Sequence, residues 1–366
     1  MTIALACFLV VLVGALHWLM PSLTPPTVPF GVRIPAGRGD EQVIVDQRRR
    51  FRIVTAALTG ATLVVVVATA GHPVVPVVAV MVQAAAGTAL YLRARAAISA
   101  AKAREDWFAG LRQVTVADTS LRTAPEPFAW PWLIAPVLVL VATVVAGIVA
   151  YPSMPGRLAT HFGADGTPDR FATRSVGSAF GPVAVQAFAT LLMCGLAYLV
   201  LRLRARLDAE DPDASARHRR FVSVTSRALL FLAACVNATF LIAALQTWDL
   251  YRPHGAAALV AVAPALLGIL VVVAATVRTG QEGSRLAIAG TRTAPAAPAG
   301  VVNRDDDRLY RWGLFYFNPD DPAVFAPKRF GVGWTVNLAS RATWALVLGG
   351  VVVLAGLAWL SALLGG

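Results

Sequence analysis

PVLVLVATVVAGIVA, residues 136–150, contains no charged side chain and a single hydroxyl. Only helices and closed barrels satisfy the backbone in lipid, and barrel strands alternate polar with apolar positions. A run that is apolar on every side reads as a helix. Extended by its neighbours, it reaches the roughly 20 residues needed to cross a bilayer. It is one of eight such stretches, at 2–21, 51–71, 74–93, 131–151, 179–201, 226–247, 256–277 and 342–364. The chain is 57% hydrophobic and 14% charged, against about 25% charged for soluble domains. These features predict an all-α membrane protein with about eight transmembrane helices.

Charge orients the helices. Of the 32 Lys and Arg, 28 fall in the first, third, fifth and seventh gaps. Short loops rich in basic residues stay on the cytoplasmic side. Both termini are therefore expected outside, as is the loop at 152–178. Trp130, Trp132 and Trp344 mark inner interfaces, while Tyr151, Trp248 and Trp359 mark outer ones. The expected organisation is a seven-helix region over 1–278, a flexible cytoplasmic linker over 279–303, a small aromatic segment over 304–340, and a last helix over 341–366. The net charge of +12 is spread over four loops. It points to the lipid bilayer as partner and not to nucleic acid. Cys7, Cys194 and Cys235 all lie in apolar stretches, which argues against disulfides and thiolate metal sites. The first apolar run has no basic residue before it and reads as a retained helix, not a cleaved signal. No motif calls for a cofactor.

The loop YPSMPGRLATHFGADGTPDRFATRS, residues 151–175, carries the first candidate site. Pro152 and Pro155 end the preceding helix. His161, Asp165 and Asp169 recur every fourth residue, but Gly163, Gly166 and Pro168 exclude a regular helix. A compact turn could gather the imidazole and carboxylates around a divalent cation, or present them to an extracellular peptide. Alternatively, the aspartates serve only backbone amides in successive turns. The expected contact residues are His161, Phe162, Gly163, Asp165, Gly166, Pro168, Asp169 and Arg170.

His161, Phe162, Gly166, Pro168, Asp169 and Arg170, with TPPTVPFGVRIP at 24–35, resemble a bacterial membrane domain of unknown function that occurs in the Sdp immunity protein. The resemblance implies a plasma-membrane protein concerned with sensing or immunity. Pro29, Phe30, Gly31 and Val32 resemble a loop that such proteins carry.

The second candidate is RLYRWGLFYFNPDDPAVFAPKRFGVGWTVNLASRATW, residues 308–344. It resembles a small C-terminal domain of unknown function that accompanies such membrane proteins. WGLFYFN reads as a strand or interfacial segment, and NPDDP as a turn. Lys328 and Arg329 beside Phe330 and Trp334 would suit anionic headgroups. RFGVGWTV at 329–336 faintly echoes PFGVRIP at 29–35, and both fall on the cytoplasmic side. Phe30, Gly31, Arg33, Trp312, Asn318, Asp320, Asp321, Lys328, Arg329, Phe330 and Trp334 are the expected cytoplasmic contacts.

No apolar stretch has an ionic residue near its centre; Gln83 and Asn237 read as interhelical hydrogen-bonders. The expectation is a non-enzymatic membrane protein for sensing, immunity or regulation. It would take an extracellular peptide outside and a regulatory protein inside. A transporter or lipid-handling permease is the alternative. A metal-dependent hydrolase built on His161, Asp165 and Asp169 is a third reading, unsupported by any GxSxG, HExxH or phosphate-loop motif.

Overall fold

The computed structural model describes residues 3–72, 74–163, 167–252, 260–287 and 300–365. Among the described residues, seven helices are long and apolar enough to cross a membrane: α1 (Ile3–Leu23), α2 (Gln42–Ala68), α3 (Val75–Arg104), α5 (Trp130–Ala150), α6 (Val176–Val200), α7 (Ala214–Thr247) and α8 (Ala263–Thr279). The eighth apolar stretch is also helical, as α9 (Arg341–Gly365). A single turn, α4, spans Ser120–Thr123.

Several helices overrun their apolar spans at the basic ends. α2 begins at Gln42 and not at 51, α3 continues to Arg104, and α7 begins at Ala214. Hydropathy reports only the lipid-buried length. Gln, Arg, Lys and Ala propagate helix well beyond it, so Arg48–Arg50 and Arg217–Arg220 lie on helices, not loops.

The all-α expectation describes the long apolar segments, while short strands pair within the connections, including one at Phe315–Tyr316 in the WGLFYFN stretch read as a strand or interfacial segment. Among the described residues, β1 (Arg112–Val114) runs parallel to β4 (Val301–Asn303). β2 (Arg157–Phe162) is antiparallel to β3 (Pro168–Thr173), β5 (Tyr310–Arg311) to β6 (Phe315–Tyr316), and β7 (Phe325–Pro327) to β8 (Trp334–Val336). The linker expected over 279–303 carries a 3-10 turn at Gln281–Gly283 and ends in β4. Residues 288–299 lie outside the described residues.

The chain divides into two compact units. The first comprises Met1–Ala124, Arg204–Phe221 and Thr276–Thr343. α1, α2 and α3 pack closely here because small residues face each other. A Cβ on Gly14 would stand 2.2 Å from Thr59 Oγ1, and one on Gly87 would stand 2.4 Å from the His17 ring. Without a hydrophobic drive between helices in lipid, such close approach and shared polar bonds hold a bundle together. Gln83, fully buried, donates to the Val10 carbonyl and to Thr59 Oγ1, each at 3.1 Å.

The second unit comprises Pro125–Leu203, Val222–Ala275 and Trp344–Gly366. Its helices share a buried polar layer. Asn237 donates to the Pro136 carbonyl at 2.7 Å and accepts from Thr190 at 3.0 Å. Gln186 donates to Thr143 at 3.1 Å and to the Asn237 carbonyl at 3.3 Å. Asn237 and Gln83 therefore both make helix–helix hydrogen bonds, as expected. Nearby, Trp248 donates to the Ala179 carbonyl at 2.7 Å and lies against Gly147, where a Cβ would come within 2.9 Å of its ring.

Candidate functional site

The first candidate lies in the second unit. Residues 157–162 and 168–173 pair as the antiparallel strands β2 and β3, and the compact turn expected between them lies in part outside the described residues. The base of this hairpin is anchored by Leu158, fully buried against Met154, Ala179 and Trp248. Its exit is fixed by a reciprocal cap in which Ser178 N donates to Ser175 Oγ at 3.1 Å and Ser175 N to Ser178 Oγ at 2.9 Å. The register is irregular on either side of His161, which pairs with Arg170. Gly163 N donates to the Thr167 carbonyl at 2.7 Å, and Phe162 opposes Pro168. The structure brings His161 Nδ1 to 2.6 Å from Asp169 Oδ1, with both side chains about half exposed. Asp165 and Gly166 lie outside the described residues. Among the described residues, no three His, Cys, Asp or Glu side chains converge as a metal site.

The three arginines of this loop, Arg157, Arg170 and Arg174, which run against the topological trend, have different settings. Arg157 lies 5.5 Å over the Phe171 ring. Arg174 donates to the Met154 carbonyl at 2.6 Å and so braces the hairpin base. Arg170 is exposed. Beside the hairpin is a cavity of about 390 Å³ bordered by Arg157, Phe162, Phe171, Asp249, Tyr251 and Arg252. Its walls combine aromatic faces with charged tips.

The second candidate lies in the first unit, where the two echoing motifs meet. Phe30 and Gly31 are both left-handed, with φ of 46° and 74°. Gly31 is required for a second reason: a Cβ there would sit 2.4 Å from Tyr91 Oη. This tight turn delivers the Gly31 carbonyl to Arg95, and to Arg329 at 3.1 Å. Phe330 lies 3.8 Å from Tyr91, ring centre to ring centre.

Arg329 is the centre of this region and corrects the sequence reading. It was expected at lipid headgroups but is only 3% exposed. Its guanidinium pairs with Asp306 and Asp307 and lies 4.3 Å over Tyr310. Arg206 reaches Asp306 at 2.6 Å, while Lys102 reaches Asp305 and Asp307 at 2.7 Å each. Arg33, also buried, donates its backbone N–H to Asp307 at 2.9 Å and holds its Nε 3.8 Å from Asp306. Burial pushes both partners toward neutrality. It lowers the Arg329 pKa, helped by Arg33 and Arg206, and raises that of Asp307 against the opposing pull of Lys102. Burial likewise pushes the Tyr310 hydroxyl up to about 12. That hydroxyl accepts from Arg206 at 2.8 Å and donates to the Pro327 carbonyl at 2.9 Å. A cleft of about 230 Å³ opens beside this cluster, lined by Arg33, Arg206, Asp208, Glu282 and Lys328 among others.

The remaining predicted contacts are distributed around the cluster. Asn337, fully buried, donates to the Asn318 and Asp321 carbonyls at 2.9 and 3.0 Å, closing the NPDDP turn onto β8. Asp321 accepts from Tyr316 at 2.9 Å and from Arg204 at 3.1 Å. Asp320 and Lys328 are exposed, Trp312 is 67% exposed, and Trp334 stacks on Phe221 at 5.6 Å. Asp305, Asp306 and Asp307 were missed. The signal was available: three consecutive acids flanked directly by Arg304 and Arg308.

The apolar helices define a multi-pass membrane protein. Two family models match parts of it. A domain of unknown function (DUF1648) matches residues 138–186, covering most of α5, the hairpin and the start of α6. A family of unknown function (DUF5808) matches residues 319–344, from the NPDDP turn through β7 and β8 to the start of α9. No curated protein and no solved structure matches the chain.

Proposed function

We propose that the protein is a non-enzymatic sensor, immunity or regulatory protein of the bacterial plasma membrane. In this reading the hairpin at 157–173 faces outward and receives an extracellular peptide. The Arg329 module faces inward and contacts a cytoplasmic regulatory protein. The observation that carries the reading is the hairpin itself. It is anchored by a buried leucine, yet it presents Phe171, Arg157, Arg170 and the His161–Asp169 pair to solvent beside a cavity of about 390 Å³. The basic residues of the remaining loops support the orientation, and the resemblance to the immunity-protein domain supports the role.

The test is a deletion strain challenged with secreted peptide toxins, and complemented with wild-type protein or with Phe171→Ala/Arg170→Ala. The reading expects sensitivity or an altered transcriptional response in the deletion, restored by the wild type and not by the variant. Unchanged survival and transcription under every challenge would count against it.

A further inference from the structure

The start of α2 carries a feature that neither candidate site uses. The sequence QRRRFR at 47–52 puts Arg48 and Arg52 one helical turn apart, where like charges repel. Of the nearby acids, Glu41 pairs with Arg38 at 2.6 Å and Asp46 accepts from Gln42 at 2.8 Å, while Asp40 opposes but does not outweigh the lowering of the Arg48 pKa by burial and by Arg52. The Arg52 Nε is buried with no hydrogen-bond partner. Its guanidinium lies 5.2 Å over the ring of Trp18, which is itself 42% exposed on α1. Ile53, the next residue, is 59% exposed and begins the apolar face of α2. Two guanidiniums with no ion pair among the described residues, one of them over a half-exposed indole, thus lie where an apolar span ends, the level at which phosphates lie and tryptophans anchor.

We infer that Arg48, Arg52 and Trp18 form a binding site for the phosphate-bearing headgroup of an anionic phospholipid. A guanidinium fork matches phosphate oxygens bidentately. One phosphate between Arg48 and Arg52 turns their repulsion into a shared attraction. The indole ring packs on the glycerol and upper acyl region beside it. A zwitterionic lipid offers the same phosphate with its own cation attached and competes poorly.

Native mass spectrometry of the full-length protein, with stepwise addition of phosphatidylglycerol or phosphatidylcholine, tests the site. Inorganic phosphate is added in a separate arm. The inference expects retained phosphatidylglycerol in preference to phosphatidylcholine. Arg48→Gln/Arg52→Gln should weaken retention roughly 30-fold, the effect of two basic side chains at a lipid surface. Arg304→Gln/Arg308→Gln, which removes the same charge elsewhere, should leave it unchanged. If the first variant fails to fold, Arg48→Lys/Arg52→Lys keeps the charge but not the fork and should lose severalfold. Equal loss in both glutamine variants, no preference between the lipids, or full displacement by inorganic phosphate would overturn the inference. So would undiminished retention in the lysine variant.

Discussion

Truncating Arg329 is the perturbation for which the structure gives the clearest magnitude. Removing one partner of a buried ion pair leaves an uncompensated charge and costs about 3–5 kcal/mol. In Arg329→Ala, Asp306 retains Arg206 at 2.6 Å and Asp307 retains Lys102 at 2.7 Å. Neither carboxylate is stranded, so the loss should fall at the lower end, about 3 kcal/mol. The Gly31 carbonyl keeps Arg95 as a donor. The Tyr310 ring loses its stacked guanidinium, which adds roughly 1 kcal/mol. The assay is denaturant unfolding of the purified protein followed by tryptophan emission, since Trp107 and Trp334 both lie in this unit. Asp306→Ala/Asp307→Ala should cost more than Arg329→Ala, because it removes both acids from the buried Arg329 and takes Arg206, Arg33 and the Arg33 backbone N–H from their partners as well. A loss below about 1 kcal/mol, well under the buried-pair range, would refute the reasoning. An Asp306→Ala/Asp307→Ala variant no less stable than Arg329→Ala would do the same.

Other predictions follow from single contacts. Gly31→Ala forces a left-handed alanine, costing roughly 1–2 kcal/mol, and meets Tyr91 Oη; Tyr91→Phe should restore part of the loss in thermal unfolding. Leu158→Ala removes the hairpin anchor, worth about 2–5 kcal/mol for a fully buried leucine, and should make residues 157–173 protease-sensitive while the helices stay intact. Asn237→Leu breaks bonds to Pro136 and Thr190 and should cost about 1 kcal/mol in the same unfolding assay. His161→Ala removes only an exposed pair, so its effect on unfolding should stay within about 1 kcal/mol. Any larger change in peptide response is then functional.

Helix positions were legible in the sequence because lipid demands long, evenly apolar runs. Helix ends were not. Residues 42–50 and 94–104 read as loop by hydropathy, yet their arginines, alanines and glutamines extend α2 and α3 into solvent. The hairpin was hidden for a different reason. RLATHF and PDRFAT lack a run of β-branched residues, and what fixes their pairing is Leu158 packing on Ala179 and Trp248, a contact invisible to local pattern. The meeting of PFGVRIP with RFGVGWTV was foreshadowed by their resemblance and shared side. That Arg329 would be buried was not, because its acids lie 22 and 23 residues away, at no regular spacing.

Substituted-cysteine labelling tests the central claim, a multi-pass protein with the hairpin outside and the Arg329 module inside. Arg170→Cys and Asp320→Cys, both at exposed positions, are placed singly in a background where Cys7, Cys194 and Cys235 are replaced by alanine. Intact cells are then treated with a membrane-impermeant maleimide. The account predicts labelling at position 170 in intact cells, and at position 320 only after permeabilisation. Labelling of position 320 in intact cells, or protection of position 170 until the membrane is opened, would contradict it.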